Sequence, residues 1–99
     1  ELKDRRILAE EGFVSVYAVV ETTTGTILAG PHIQARGVAE DDSVFEEILP
    51  DVTEALSAAL ETGKADAYSL QQVMRRTLGR WIGRRLRRRP MIVPVVIEA

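Results

Sequence analysis

The chain has 99 residues, of which 45% are hydrophobic and 28% are charged, and it contains no cysteine and a single histidine. This composition predicts one globular domain, excludes disulfides and thiolate metal sites, and leaves too few histidines for the usual zinc centre. The net charge of -2 hides a strong polarity, because residues 1–66 carry 14 acidic and 5 basic side chains and residues 67–99 carry 1 acidic and 8 basic ones.

The N-terminal residues 1–11 are predicted to be a linker, because their charges alternate and they hold few apolar side chains. The domain itself is then expected over residues 12–99. No apolar leader opens the sequence, and no apolar run approaches the roughly 20 residues that span a bilayer. These features predict a cytoplasmic protein without membrane contact.

The segment Phe13–Val20 predicts a buried strand, since it is rich in β-branched and aromatic residues. Neither of its two faces is suited to free exposure to water. The glycine within Glu21–Thr26 predicts a hairpin loop, and residues 26–37 predict the second strand. Pro31 cannot donate to a ladder, so we expect it at an edge, at a bulge or beyond the regular pairing.

Two Ser-x-x-Glu/Gln patterns mark predicted helix starts. The spacing of Ser43 and Glu46 predicts a reciprocal cap and a first helix, which either kinks at Pro50 or begins there after a separate short turn. The same spacing at residues 69–72 predicts a second helix that runs to about Leu86.

The last segment, Met91–Ala99, predicts a final strand, in which Pro94 favours an edge position. The expected architecture is therefore an α+β fold, a small three-stranded sheet with two helices packed on one face in the order β-β-α-α-β. The apolar side chains of the first and last strands exceed what two helices can cover, which predicts self-association through the sheet. The candidate interface residues are Phe13, Tyr17, Met91, Val93, Val95 and Ile97.

The basic region Arg75–Arg89 is the most distinctive feature of the sequence. Arg76, Arg80, Arg84 and Arg87 fall along one flank of the predicted helix, where their guanidinium groups could follow the phosphates of RNA. Alternatively, these cations complement the dipole at the helix C-terminus and neutralise acids of the first helix or of a neighbouring domain. We favour the second interpretation, because no series of aromatic residues for stacking bases accompanies the arginines.

Other residues with chemical potential have simpler explanations. His32 has no visible partner for acid–base catalysis and is expected at the surface or in an interface. Trp81 and Met74 lie on the apolar stripe of the second helix and are expected in the core. The acidic cluster Glu40–Asp42 fits a helix-initiating turn better than a metal site. No catalytic residue, metal ligand or cofactor is therefore predicted in this chain.

Three segments resemble the C-terminal domain of the ribonuclease J family. They are KDRRILAEEGFVSV at Lys3–Val16, AGPHIQARG at Ala29–Gly37 and RRRPMIVPVVIEA at Arg87–Ala99. Their order and spacing match over nearly the whole chain, and the last segment is the most specific. Ala35 departs from the pattern, since many relatives have serine there, which weakens any role that depends on a hydroxyl group.

The resemblance implies a longer parent protein with a metallo-β-lactamase domain and an inserted β-CASP domain. In that family two zinc ions activate water for 5′-to-3′ exonucleolytic and endonucleolytic cleavage of RNA, and none of the motifs for this chemistry lies in these 99 residues. Residues 1–11 would then lead in from the catalytic part, and the domain itself would serve oligomerisation without being an enzyme. The expected partners are a second copy, the two parent domains and, in the alternative interpretation, RNA.

Overall fold

One mixed three-stranded sheet and two α-helices make up the part of the chain that the computed structural model describes, residues 11–99. The elements in chain order are β1 (Phe13–Glu21), β2 (Thr26–Arg36), a 3₁₀ helix (Asp42–Glu47), α1 (Leu49–Glu61), α2 (Ala67–Arg85) and β3 (Met91–Glu98). The predicted α+β fold with the order β-β-α-α-β is confirmed. The predicted linker 1–11 lies, apart from Glu11, outside the described residues.

Strand β1 occupies the centre of the sheet, in the order β2-β1-β3. The hairpin makes β2 antiparallel to β1, whereas β3 runs parallel to β1. A parallel neighbour needs a long crossover connection, and both helices lie within it. Strands β2 and β3 are therefore the edge strands of this sheet, which places Pro94 on an edge as predicted.

Both helices pack on the same face of the sheet, α1 over β2 and α2 over β3. Alternate residues of β1 point into this layer and have no exposed surface, because a strand directs successive side chains to opposite faces. Fully burying one large aliphatic side chain contributes about 1.5–3 kcal/mol. The fully buried side chains of β1 and the two helices include Val14, Val16, Val20, Val52, Leu56, Leu70, Met74, Leu78 and Ile82.

The hairpin is irregular where β2 passes the middle of β1. The pairing register shifts between Tyr17 and Val19, opposite the Gly30–Pro31 bond, which is cis. Gly30 has a φ of 83°, and a Cβ atom there would lie 2.7 Å from the carbonyl oxygen of Tyr17. Only glycine fits this close approach of two backbones. Pro31 therefore lies both on an edge strand and at a bulge, as its missing N–H predicts.

The predicted cap at Ser43 is wrong. Asp41 is the N-cap of the 3₁₀ helix, and its Oδ1 accepts a hydrogen bond of 2.9 Å from the backbone N–H of Ser43. The regular helix α1 begins only at Leu49, with Pro50 in its first turn, where the missing N–H leaves no helical bond unmade. Of the two alternatives at Pro50, the separate short turn is therefore correct.

The second predicted helix begins three residues earlier than expected. Asp66 is its N-cap, and Asp66 Oδ1 accepts a hydrogen bond of 2.8 Å from the backbone N–H of Ser69. Ser69 Oγ in return accepts a hydrogen bond of 3.0 Å from the backbone N–H of Asp66. Asp66 is thus the first member of the capping box, and Ser69 is the third residue of the helix. The negative carboxylate of Asp66 also interacts favourably with the positive end of the helix dipole.

Substituting alanine for two different glycines should change stability in opposite directions. Gly30→Ala should lower the free energy of unfolding by roughly 2 kcal/mol or more, because the residue is held at positive φ against a neighbouring backbone. Gly83→Ala should raise it by up to about 1 kcal/mol, because Gly83 lies in α2 and its added Cβ meets no atom within 4 Å. Urea unfolding of both variants checks this, and equal effects would contradict the assigned backbone at Gly30.

The cap of α2 should make stability depend on acid pH. Its hydrogen bonds with the backbone and side chain of Ser69 hold the pKa of Asp66 below its ordinary value of 3.8. A lowered folded-state pKa means that the cap stabilises the fold fully above that ordinary value and is lost as the pH falls through the lowered one. Asp66→Ala should therefore lower the midpoint of thermal unfolding by roughly 4–8 °C at neutral pH.

This difference in melting temperature should shrink as the pH falls below 3.8 and through the lowered pKa of Asp66, because the carboxyl group then becomes protonated. Glu46→Ala is the matched control, because it removes an exposed carboxylate that forms no hydrogen bond with any residue from 11 to 99. A loss of stability on Asp66→Ala that stayed the same at all pH values would argue against the charged cap.

Candidate functional site

The face of the sheet opposite the helices, here called the outer face, carries most of the exposed large hydrophobic side chains of residues 11–99. Six such side chains are exposed, and only Tyr68, on α2, lies elsewhere. The other five are between 38% and 51% exposed. Such a cluster on one surface is typical of a contact site, whereas isolated exposed hydrophobic residues are ordinary. The five are Tyr17, Leu28, Val93, Val95 and Ile97.

The strand register brings the predicted interface residues together on the outer face. Tyr17 pairs with Val95, and the next outward pair is Val19 with Ile97. Phe13 and Met91 form the first pair of the two strands and are half-buried. Because β1 and β3 are adjacent and parallel, these pairs form two neighbouring apolar rows that run in the same direction. Leu28, which the sequence analysis did not single out, extends the face on β2.

His32 is exposed on β2, directly opposite Tyr17 on β1. The two ring centroids are 5.0 Å apart and the rings are tilted by 36°, a favourable aromatic contact that orients both side chains on the outer face. Across residues 11–99 no three His, Asp or Glu side chains come together in a way that could hold a metal ion. The described residues therefore offer no ligand set for the zinc ions that the family resemblance associates with the parent protein.

The free edge of β3 is closed to further strand pairing at its middle. The N–H groups of Met91 and Ala99 point to β1, so the N–H groups of the even-numbered residues between them point outward. Pro94 has no N–H group, and the outward N–H of Val96 donates a hydrogen bond of 3.1 Å to Gln71 Oε1 on α2. Edges blunted in this way do not recruit another strand, so the outer face and not this edge is available for contact.

Five arginines meet at the end of α2 and the loop that follows it. With Gly79, Gly83, Pro90 and Ile92 they line an open cleft of about 650 Å³, here called the arginine cleft. Its lining contains no acidic side chain. The sequence grouped Arg76 with this flank, but Arg76 lies in a different groove with Tyr68 and Gln72. The arginines of the cleft are Arg80, Arg84, Arg87, Arg88 and Arg89.

The arginines differ in how they are held. Arg85 forms a two-point ion pair with Glu47 of the 3₁₀ helix, with both N···O distances at 3.2 Å, although both side chains are about half exposed. Arg88 Nη2 donates to the carbonyl oxygen of Gly37 at 2.8 Å. The backbone N–H of Arg89 donates to Glu11 Oε1 at 2.7 Å. These bonds attach the end of α2 and its loop to the rest of the domain.

The four arginines of the predicted flank form no ion pair within residues 11–99. Arg80 and Arg84 do share a groove with Asp51 and Glu54 of α1, at more than contact distance. The acids of the first helix therefore attract these arginines electrostatically without forming ion pairs in contact with them. The expected pairing in contact is seen for Arg85 and Glu47 alone among the described side chains.

The other residues that the sequence singled out have structural roles. Trp81 and Met74 are buried in the core, and the Trp81 ring lies 5.5 Å from that of Phe45. Of the acidic cluster, Asp41 caps the 3₁₀ helix, and that hydrogen bond with Ser43 lowers the pKa of its carboxyl group. Glu40 is exposed beside it.

The contact of Gln71 with the edge of β3 is not predictable from the sequence. Only its place in a capping pattern was noted, and nothing local could reveal that its amide reaches β3, which is 25 residues further along the chain. Leu28 could have been found from the alternation of the second strand, but the bulge at Gly30 hides that alternation.

The sequence matches a known family over its full length. A family model for the ribonuclease J C-terminal domain matches residues 1–99. Ribonuclease J of Mycobacterium tuberculosis is 41% identical over 93 residues, which cover 94% of this chain and 17% of that protein. Ribonuclease J of Mycolicibacterium smegmatis is 39% identical over the same shares, and ribonuclease J 2 of Staphylococcus aureus is 33% identical over 98% of this chain and 18% of its own length.

The chain spans less than a fifth of the length of these relatives. Within residues 11–99, no helix combines the length and the apolar composition needed to cross a membrane.

The purified chain should not hydrolyse RNA, with or without added zinc, because two-metal hydrolysis needs a cluster of ligands that the described residues do not form. The measurement is incubation with end-labelled RNA followed by electrophoresis. Cleavage that disappeared in a His32→Ala variant would disprove this prediction, since it would show that the histidine takes part in catalysis.

Proposed function

Because the chain belongs to the ribonuclease J C-terminal domain family, we propose that it is a non-catalytic assembly domain that joins copies of a longer ribonuclease. The observation that carries this proposal is the outer face, where five large hydrophobic side chains are exposed side by side. Burying apolar surface stabilises association by about 25 cal/mol per Å² before the costs of binding are subtracted. Leaving this apolar face exposed to water is thermodynamically unfavourable.

A second copy of the same chain is the occupant that the outer face fits best. The centre of the face carries no charged side chain, so two identical faces can meet without repulsion between like charges. Two sheets that pack face to face in this way form a sandwich, with side chains of both inner faces interdigitated.

The blunted edge of β3 supports a closed pair over an open chain of molecules. Strand addition at an edge can continue from copy to copy, whereas contact through one face with two-fold symmetry uses the same surface on both partners and ends there. Pro94 and the bond from Val96 to Gln71 remove two of the outward donors that strand addition needs. The expected assembly is therefore a homodimer.

The catalytic chemistry of the parent protein belongs to the part outside this chain. We propose that the parent is a zinc-dependent ribonuclease with metallo-β-lactamase and β-CASP domains, which acts in RNA processing and decay in the cytoplasm. The names of the relatives support a ribonuclease, and the small share of their length that the chain spans supports a longer parent protein. Dimerisation through the C-terminal domain would hold two such catalytic parts in one particle.

A negative charge on the outer face should dissociate the assembly. Tyr17→Asp or Val95→Asp should weaken self-association by at least about 30-fold, because each places a carboxylate in the apolar centre of the contact, once in each copy. Sedimentation equilibrium of the 99-residue chain over a wide concentration range measures this, with circular dichroism to show that the helices are retained.

Tyr68→Asp is the matched control, because it makes the same chemical change at the exposed tyrosine on α2, away from the outer face. It should leave the association constant unchanged. A strictly monomeric mass of the unmodified chain at high concentration would refute the proposal. Loss of helical signal in both outer-face variants would show instead that Tyr17 and Val95 stabilise the fold of the single chain.

A further inference from the structure

The two ends of the outer face carry opposite charges. Successive side chains of a strand point to opposite faces, and residues paired across neighbouring strands share a face. Arg36 pairs with Phe13 at the start of β1 and so lies at one end of the outer face, whereas Glu21 ends β1 at the other. Among the outward side chains of the three described strands, only Glu21 and Arg36 are charged at neutral pH.

The domain itself does not neutralise these two charges by direct contact. Glu21 and Arg36 form no ion pair within residues 11–99. The carboxylate of Glu21 accepts one long hydrogen bond of 3.4 Å from Thr23 Oγ1 in the hairpin loop. Arg36 is exposed and lines a groove with Asp42, but the two side chains are not within ion-pair distance. Both charges can therefore act on a partner that meets the outer face.

The charged ends lie at equal distances from the middle of the outer face. Tyr17 lies midway between Phe13 and Glu21 in β1, and at about 3.3 Å per residue each end is roughly 13 Å away from it. His32 on β2 and Val95 on β3 flank Tyr17, and these three residues are here called the central row. A two-fold axis along the central row would exchange the basic end of one copy with the acidic end of the other.

The shape of the outer face limits how two copies can meet. Strand β1 spans about 30 Å, whereas three strands spaced about 4.8 Å apart span only roughly 10 Å across the sheet. Two long, narrow faces bury most apolar surface when their strands run along each other, as in aligned sheet packing. Two-fold symmetry then leaves two arrangements, in which the strands of the two copies run in the same direction or in opposite directions.

The charges distinguish between these two arrangements. With strands in the same direction, β1 lies over β1 end to end, and the Glu21 carboxylates of the two copies meet. With strands in opposite directions, the Arg36 end of each copy lies over the Glu21 end of the other. Arg36 is then displaced from Glu21 by one strand spacing, about 4.8 Å, which its long side chain can span. Opposite charges across a contact fix the orientation of the partners, and like charges disfavour it.

We propose that Glu21 and Arg36 set the orientation of the assembly, so that two outer faces meet with antiparallel strands and each Arg36 binds Glu21 of the other copy. This inference rests on the proposed assembly through the outer face. The apolar centre supplies the buried surface, and the charged ends select one way of placing it. The central row lies on the two-fold axis, so Val95 of one copy faces Val95 of the other.

Reversal of either charge should weaken self-association, and reversal of both should restore it. Glu21→Arg and Arg36→Glu each place like charges together at both ends of the contact, so the association constant from sedimentation equilibrium should fall roughly ten-fold or more. The double variant keeps the net charge of the unmodified chain and should associate within about three-fold of it. Glu46→Arg is the control, because Glu46 is exposed in the 3₁₀ helix, outside the three strands, and it should change nothing.

Single cysteines test the orientation directly, because the chain contains no cysteine of its own. A short bismaleimide reagent is used, since sheets that pack face to face are about 10 Å apart, too far for a direct disulfide. Val95→Cys should be cross-linked into a dimer, because this residue faces its own copy only in the antiparallel arrangement. Glu21→Cys should not be cross-linked, because it faces its own copy only when the strands run in the same direction.

The outcomes separate the orientation from the assembly itself. A strictly monomeric unmodified chain would overturn both this inference and the proposed function. Association that persists unchanged in the single reversals, that the double reversal fails to restore, or that gives any other cross-linking pattern would overturn the orientation alone. Glu21→Gln serves if a reversal unfolds the domain, as circular dichroism would show. It should weaken association, and stronger association would overturn the orientation, because it would reveal repulsion between two Glu21 side chains.

Discussion

The fold depends on β1, a strand that is apolar on both faces and lies in the centre of a sheet with only one layer of helices. Val14, Val16 and Val20 are covered completely by α1 and α2. No element of residues 11–99 covers the opposite face, on which Tyr17 and Val19 meet the outward side chains of β3. Both helices pack on one face of the sheet, so the described residues leave the other face without a covering layer. The proposed assembly follows from this constraint.

The same constraint explains how the two edges of the sheet are treated. A sheet that must offer one apolar face to a partner risks open-ended pairing through its edges. Strand β3 is protected by Pro94 and by Gln71, whose amide accepts the N–H of Val96. Strand β2 is interrupted at Gly30–Pro31 by the bulge. The outer face of the sheet is therefore open to contact with a partner, whereas strand pairing is blocked at these points of its edges.

The charged side chains lie outside the core, since none of the buried residues in the described part of the chain is polar or charged. The acids of the first part of the chain and the arginines of the last part come near each other along α1 and α2, but only Arg85 and Glu47 form a contact among the described residues. The remaining arginines gather at the end of α2. The internal attraction that the charge polarity predicted is present in a weak form between α1 and α2.

The sequence by itself determined the strand and helix types, their order and the positions of the prolines, because these follow from local side-chain sterics and missing N–H groups. It also placed the six candidate interface residues on alternate positions of two strands. Only the tertiary structure decided which face of β1 is buried, since both faces are apolar and the choice depends on where the crossover helices pack. It also decided that Asp66 and not Ser69 is the N-cap of α2, because both residues can cap a helix and the path of the chain selects between them. The contact of Gln71 with Val96 joins residues 25 apart in sequence, and no local pattern specifies such a contact.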